Sequence, residues 1–291
     1  MKNKYINLHN HTEYSLLDGC GRVEDFVKRA KRLKQKYLAI TDHGNIDGTI
    51  KFQKFCKKHN IKSIIGCEAY IVPDASIKDK TDKRGHVLLL VKDETGWKNL
   101  LSLLTYANLQ GFYRKPRIDY KTLLKHHKGL VISTACVASF LNLKGGLSFF
   151  KKLSKKKKDD LYIEVMPLDL DFQVKHNKTC LQLREIYSQH KLVASCDAHY
   201  IKEEDKKVQQ VLLAVQFKKT WNDPKRFKFT ASHLLSEEEV IDDFESQGVL
   251  NKEQIKEAIN STEEIAQKCC NFEIKSQEID LPVVDLSLSK L

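Results

Sequence analysis

Through the first 200 residues, short apolar runs of strand length alternate with segments of helical periodicity, and this alternation narrows the possible folds more than any other feature. Strand-like runs occupy 5–8, 37–41, 63–72, 87–91, 129–134, 161–165 and 192–195. Helical patterns fall near 22–36, 46–59, 94–107, 145–153, 173–190 and 202–217. Strands separated by helices pair in parallel, because the crossover returns the chain to its starting edge while covering a face of the sheet. The expectation is an α/β domain with a largely parallel, buried sheet, either open or closed into a barrel. In both forms the working side chains gather beyond the C-terminal ends of the strands.

Beyond about residue 218 the pattern changes. Ser236 with Glu239 makes a capping-box signature ahead of a short helix at 237–246, and Asn251 precedes a longer one. That longer helix carries Ile255, Ala258, Ile259, Thr262, Ile265 and Ala266 on one face. Three regions are expected: 1–217 as the α/β body, 218–277 as a helical extension, and 278–291 as a tail or linker. The lysine run at 151–158 reads as a solvated helix end or, less simply, as a phosphate contact.

Composition excludes several classes. No run approaches the ~18–20 uninterrupted apolar residues of a membrane span, and Met1-Lys2-Asn3-Lys4 leads straight into a strand-like run, so no secretory signal is expected. The eight cysteines form no C-x-x-C pair and sit mostly in apolar segments, so they read as reduced thiols of a cytoplasmic protein, some of them available as ligands. A net charge of +12 suits a polyanionic partner such as nucleic acid. The lysines are spread along the chain, so simple solvation of the surface is the competing explanation.

Candidate chemistry lies at the strand ends. The first run ends in His9-Asn10-His11, whose alternate histidines point the same way in extended chain and can share one ion. The second runs into Asp42-His43, and the third holds Glu68 among apolar residues, where an unpaired charge is costly. The fifth ends at Cys136, and the seventh in Asp197-Ala198-His199. One such pair is weak, but recurrence at the converging ends of one sheet points to a metal centre. His86 precedes its strand. The 13-residue connection from Val72 to His86 has no helical periodicity. The connection is therefore expected to be a hairpin, with an antiparallel strand that enters from the functional rim and sets His86 beside Glu68.

These residues resemble a known family. His9-Asn10-His11-Thr12-Glu13-Tyr14-Ser15-Leu16-Leu17-Asp18-Gly19 is similar to the first motif of the PHP (polymerase and histidinol phosphatase) domain, in the version that opens the alpha subunit of bacterial DNA polymerase III. Thr41-Asp42-His43-Gly44-Asn45, Gly111-Phe112-Tyr113-Arg114-Lys115-Pro116-Arg117-Ile118-Asp119, Asp197-Ala198-His199-Tyr200 and Asp223-Pro224-Lys225-Arg226 continue the match in order, over roughly residues 5–280. The resemblance implies a distorted seven-stranded β/α barrel, related to the TIM barrel, with the helical extension at its C-terminal side. It implies two to three divalent ions held by His9, His11, Asp18, His43, Glu68, His86, Cys136, Asp197 and His199. Asp18 comes from the resemblance alone.

The implied activity is hydrolysis of a phosphate ester, with Asp197, Glu68 and His199 as catalytic residues and Asp197 and Glu68 as bridging carboxylates. Bound ions would make hydroxide available near neutral pH and offset charge on the departing oxygen. Mixed nitrogen, oxygen and sulfur ligation suits Zn²⁺, Mn²⁺ or Fe²⁺ better than Mg²⁺. Arg114, Lys115 and Arg117 are candidates for holding the substrate's phosphates. The polymerase resemblance favours DNA 3′ ends as substrate, in 3′–5′ proofreading beside a separate polymerase subunit, because no segment after 218 supplies the carboxylates of a polymerase palm. The alternatives are a small-molecule phosphatase similar to histidinol phosphatase, or a non-catalytic scaffold that docks through the 251–270 helix and the tail.

Overall fold

The computed structural model describes residues 4–78, 80–81, 83–226 and 232–275. The expected 278–291 tail lies outside these residues. In chain order the elements of the body are α1 (Val23–Arg32), β1 (Tyr37–Ile40), α2 (Thr49–His59), β2 (Lys62–Val72), β3 (Gly85–Val91), α3 (Glu94–Leu109), β4 (Arg117–Asp119), α4 (Tyr120–Lys125) and β5 (Leu130–Ser133). They continue with α5 (Gly146–Lys156), β6 (Leu161–Val165), α6 (Asp171–Ile186), β7 (Leu192–Ala194), β8 (Ala198–Tyr200) and α7 (Lys206–Gln216). A short β9 (Ser232–His233) pairs with β8, and α8 (Glu237–Gln247) and α9 (Lys252–Cys269) follow.

The main sheet runs β1-β2-β3-β5-β6-β7, with β4 placed beyond β1 on the same side of β2. β3 is antiparallel to both β2 and β5, with Tyr70 opposite His86, as the hairpin argument required. The remaining pairs of this sheet are parallel. Among the described residues no helix is long and apolar enough to cross a membrane.

The sheet curls until its edges nearly meet, and residues 5–11 fill the gap. Asn7 O and Asn10 O accept from Ala39 N and Thr41 N, while on the other side His9 O accepts from Ala198 N and His11 N donates to Ala198 O. This stretch was expected to be an ordinary strand and is not one. Between its two bonds to β1 it spends three residues against two, which is a β-bulge. Farther back, its amides turn to the helical extension: Tyr5 N donates to Glu237 and Ile6 N to Thr262 Oγ1. The seventh strand of the main sheet is instead β4, whose three residues after Pro116 are too short to show a period.

Alternation along each strand sorts side chains into two cores. The outer faces carry Leu38, Ile65, Cys67, Leu89, Val91, Ile132 and Ile163, which pack under the helices. The inner faces carry Ile6, Leu8, Ala39, Ile64, Leu88, Leu90, Val131, Tyr162 and Val193, packed against Ile265, Ala266 and Cys269 of α9. α9 therefore closes the floor of the barrel. Full burial of an aliphatic side chain of this size stabilises by about 1.5–3 kcal/mol. The apolar face expected on this helix is thus occupied by the barrel and not offered to a partner. Capping boxes at Ser236/Glu239 and Asn251/Gln254 start α8 and α9 as their sequences suggest. The lysine run is the exposed end of α5, except that Lys157 turns in to Asp160.

Candidate metal centre

The inner face changes character toward the rim. Two residues beyond Ile64 and Gly66 comes Glu68, two before Leu88 comes His86, two after Tyr162 comes Glu164, and Val193-Ser195-Asp197 continues the same alternation. A face that is apolar at the floor therefore ends in acids and imidazoles at the top. The bulge at 7–10 brings His9 inward immediately after Leu8, which also faces inward. Left-handed backbone at Leu17, Ala135 and Asp197 re-aims the chain at or immediately before Asp18, Cys136 and Asp197. Such conformations cost non-glycine residues stability and gather where geometry is over-determined. The Asp18 loop also depends on Gly19, because a Cβ there would lie 2.3 Å from the Thr12 carbonyl oxygen.

The structure brings all nine expected ligands together. Glu68 lies at the centre. Its Oε1 is 3.2 Å from His9 Nε2, 3.0 Å from His86 Nδ1 and 3.6 Å from Cys136 Sγ, and its Oε2 is 2.8 Å from His43 Nδ1 and 3.4 Å from His11 Nε2. Asp197 Oδ1 is 3.0 Å from His11 Nε2 and 3.4 Å from His9 Nε2. Asp18 bridges His43 and His199 at 3.2 and 3.7 Å. Three overlapping groups have their donor atoms within 4.8 Å of one another: His11/His43/His199, His9/His11/Asp197 and His43/Glu68/His86.

Whether these residues fit a metal is tested by their hydrogen bonds. His9 Nε2, His11 Nε2, His43 Nδ1, Glu68 Oε2 and Asp197 Oδ1 are buried and have no hydrogen-bond partner, although potential partners lie within 3.4 Å. Their lone pairs converge on shared points instead of on each other, which is costly unless cations occupy those points. The far sides of the rings are fixed. His9 Nδ1 lies 2.7 Å from Glu164 Oε1, His11 Nδ1 lies 3.1 Å from Ser15 Oγ, and His199 Nδ1 lies 2.8 Å from the Asp197 carbonyl oxygen. An N–H donated outward leaves the inward nitrogen as a lone-pair donor. The residues fit a divalent-metal cluster.

Charge balance points the same way. Burial works against ionised Glu68 and Asp197, yet the surrounding histidines hold both carboxyls below their usual range, and Asp18 behaves likewise. Burial alone would lower His43, but Glu68 and Asp18 push it up to about 10. Burial together with His43 and His199 brings His11 down to about 3. The site thus gathers negative charge that needs positive charge close by.

Sequence reasoning missed several contributors. Glu164 orients His9 and accepts a hydrogen bond from Ser133, and its signal was the one that exposed Glu68, a carboxylate inside an apolar strand. Asp42 accepts from Thr12 N, Thr12 Oγ1 and Ser15 Oγ, and so ties the first motif to the end of β1; burial pushes its carboxyl up. Of the three basic candidates, Lys115 lines a cleft of about 220 Å³ at the mouth of the centre, together with Tyr14, Ser15, Asp18, His43 and Tyr70. Arg114 is exposed beside Tyr113. Arg117 is not brought to the cleft: it is buried, and its guanidinium donates to the carbonyls of Gly111, Ile77 and Ala75. A larger cavity of about 820 Å³ between α3 and α4 contains none of the nine ligands.

Among known proteins, the chain is 33% identical over 290 residues to DNA polymerase III subunit alpha of Borreliella burgdorferi, covering 94% of this chain and 24% of that protein. It is 38% identical over 249 residues to DNA polymerase III subunit alpha of Aquifex aeolicus, covering 80% and 21%. The chain thus spans about a quarter of the length of these relatives. A solved structure from Bacteroides vulgatus, a two-domain protein containing a predicted PHP-like metal-dependent phosphoesterase, aligns with a TM-score of 0.43 at 14% identity, over 67% of this chain and 52% of that one. The family model for the PHP domain matches residues 7–167. That match covers more than half of the chain and runs through the strands bearing Glu68, His86 and Glu164, and the chain belongs to the PHP domain family.

Proposed function

We propose that the chain is a metal-dependent phosphoesterase acting on DNA 3′ ends, a 3′–5′ exonuclease that works beside a replicative polymerase. The observation that carries the reading is the convergence of nine donor groups, Glu68 and Asp197 among them, with five inward-facing donor atoms left without hydrogen bonds among the described residues. Divalent ions bound there supply Lewis acidity, which makes hydroxide available near neutral pH and offsets negative charge gathering at phosphorus. Glu68 and Asp197 each face more than one imidazole and would hold the ions together with those histidines. The sulfur of Cys136 in the set favours Zn²⁺, Mn²⁺ or Fe²⁺ over Mg²⁺. Asp18 and His43 line the cleft, His199 lies 3.7 Å from Asp18, and Lys115 on the cleft wall offers a cation to a phosphate oxygen.

DNA is favoured as substrate by the net charge of +12 and by the relatives named as DNA polymerase subunits. The modest cleft also suits a small phosphomonoester, which is the competing reading. Metal-loaded protein should shorten 5′-labelled single-stranded DNA faster than it hydrolyses a mononucleotide or a small phosphomonoester. The reverse order would favour the phosphatase, and bound metal with no hydrolysis of any of the three would favour a scaffold. Asp197→Asn should reduce turnover roughly a hundred-fold or more while the thermal unfolding profile stays cooperative. Unchanged turnover would remove Asp197 from the chemistry.

A further inference from the structure

We infer that the turn-rich segment following α7 is a single-strand platform that feeds a nucleic-acid 3′ end into the metal cleft; this rests on the phosphoesterase reading above. Gln216, the last residue of α7, lines the cleft beside Asp18 and His43. Directly after it comes Phe217-Lys218-Lys219-Thr220-Trp221-Asn222-Asp223-Pro224-Lys225-Arg226, in which two aromatics are interleaved with four cations against one acid. Both side chains are partly exposed, Phe217 at 48% and Trp221 at 41%.

The segment is built, not loose. Lys219 N donates to Ala214 O, Arg226 N donates to Asp223 O, and Lys219 pairs with Asp223 at 3.1 Å. Lys207, near the start of α7, reaches to 5.8 Å from the Trp221 ring, so the segment folds back along the helix from the cleft. Residues 207 and 216 are ~14 Å apart along a helix axis at 1.5 Å per residue. That distance is about four nucleotides of a stacked strand at ~3.4 Å each.

The chemistry matches that path. The Arg226 guanidinium lies 4.1 Å from the centre of the Trp221 ring and braces it, with Nε and Nη1 buried. The exposed part of the Trp221 ring fits a stacked base, and the exposed Lys218 and Lys225 on either side of it fit the strand's phosphates. Every base has a π-face, so the platform would be tolerant of sequence. The exposed valines of α7, Val208, Val211 and Val215, have no ring to stack and are not part of it.

The chain has two tryptophans, and Trp97 packs beside Phe272, away from this segment. Binding is therefore readable from Trp221 fluorescence without any turnover. Metal-loaded protein is titrated with a short oligothymidylate whose terminal linkages are phosphorothioates. The expected result is saturable quenching that is absent in Trp221→Phe, with binding by Trp221→Ala about ten-fold or more weaker in anisotropy. Lys225→Ala should reduce the slope of log affinity against log salt by about 1. In steady-state assays Trp221→Ala should raise KM for the oligonucleotide far more than KM for bis(p-nitrophenyl) phosphate. Absence of quenching, or equal KM changes for both substrates, would overturn the platform and leave the Trp221–Arg226 contact as a staple of the turn. Loss of all hydrolysis with quenching intact would sink the phosphoesterase reading and spare the platform.

Discussion

Glu68 and Glu164 hold comparable places, each toward the rim of an inner strand face, yet they do different work. Glu68 turns both oxygens to the histidines, whereas Glu164 stands behind His9 and fixes its ring. Replacing Glu164 by Gln keeps the size and removes the charge, and the affinity for zinc should fall about ten-fold in competition with a chromophoric chelator. Unaltered affinity would show that His9 needs no such support. Arg117 supports the backbone in the same indirect sense. Arg117→Ala should lower stability by about 2 kcal/mol, read from denaturant unfolding, because three carbonyls lose their donor. An unchanged midpoint would show that the three carbonyls do not depend on the guanidinium. At this scale the sequence displayed the strand-end ligands because they recur with the period of the strands. It hid Asp18, which lies in a loop, and it misdirected Arg117, since nothing in a sequence says which way a guanidinium turns.

The long elements were legible by their period, and the short β1, β5 and β7 by their unbroken apolar runs. β2, α3, α6 and α9 each span several periods of their pattern, whereas β4, β8 and β9 have three residues or fewer and show none. The antiparallel β3 was found by a different route, from the connection before it. What holds these elements to each other is partly electrostatic. Asp160, at the start of β6, meets Lys92 just after β3 at 2.7 Å, Lys157 after α5 at 3.4 Å and Lys268 of α9 at 3.5 Å. Burial raises the Asp160 carboxyl, but the three lysines outweigh it and hold it below the usual range. A carboxyl depressed in the folded state stabilises above its unfolded pKa of about 3.9, and that contribution fades as pH falls through the lower folded value. Asp160→Asn should therefore cost about 1 kcal/mol near neutral pH, with the gap from wild type closing in acid. A gap that persisted below that range would point to lost packing and not to charge.

At the scale of the whole molecule the barrel is layered, with an apolar floor closed by α9 and a polar rim of acids and imidazoles. The rim is held from outside by backbone and by hydrogen bonds such as His9–Glu164 and His11–Ser15, and its inward donor atoms would be satisfied by cations at the points on which they converge. Thermal unfolding should consequently shift upward with added Zn²⁺ or Mn²⁺ and return on chelation. The expected gain is about 2.7 kcal/mol per site at a free-ion concentration near 100 times Kd. Identical unfolding with and without metal would contradict the cluster at its root. The bulge at 7–10 has its own consequence for how such a molecule can change. It acts as a phase shift in the strand: before it, even-numbered side chains face the barrel axis, and after it odd-numbered ones do. Deleting Asn10 would make the two histidines neighbours and, in extended chain, turn one of them out of the barrel in a single step. In this segment length is therefore constrained more tightly than identity.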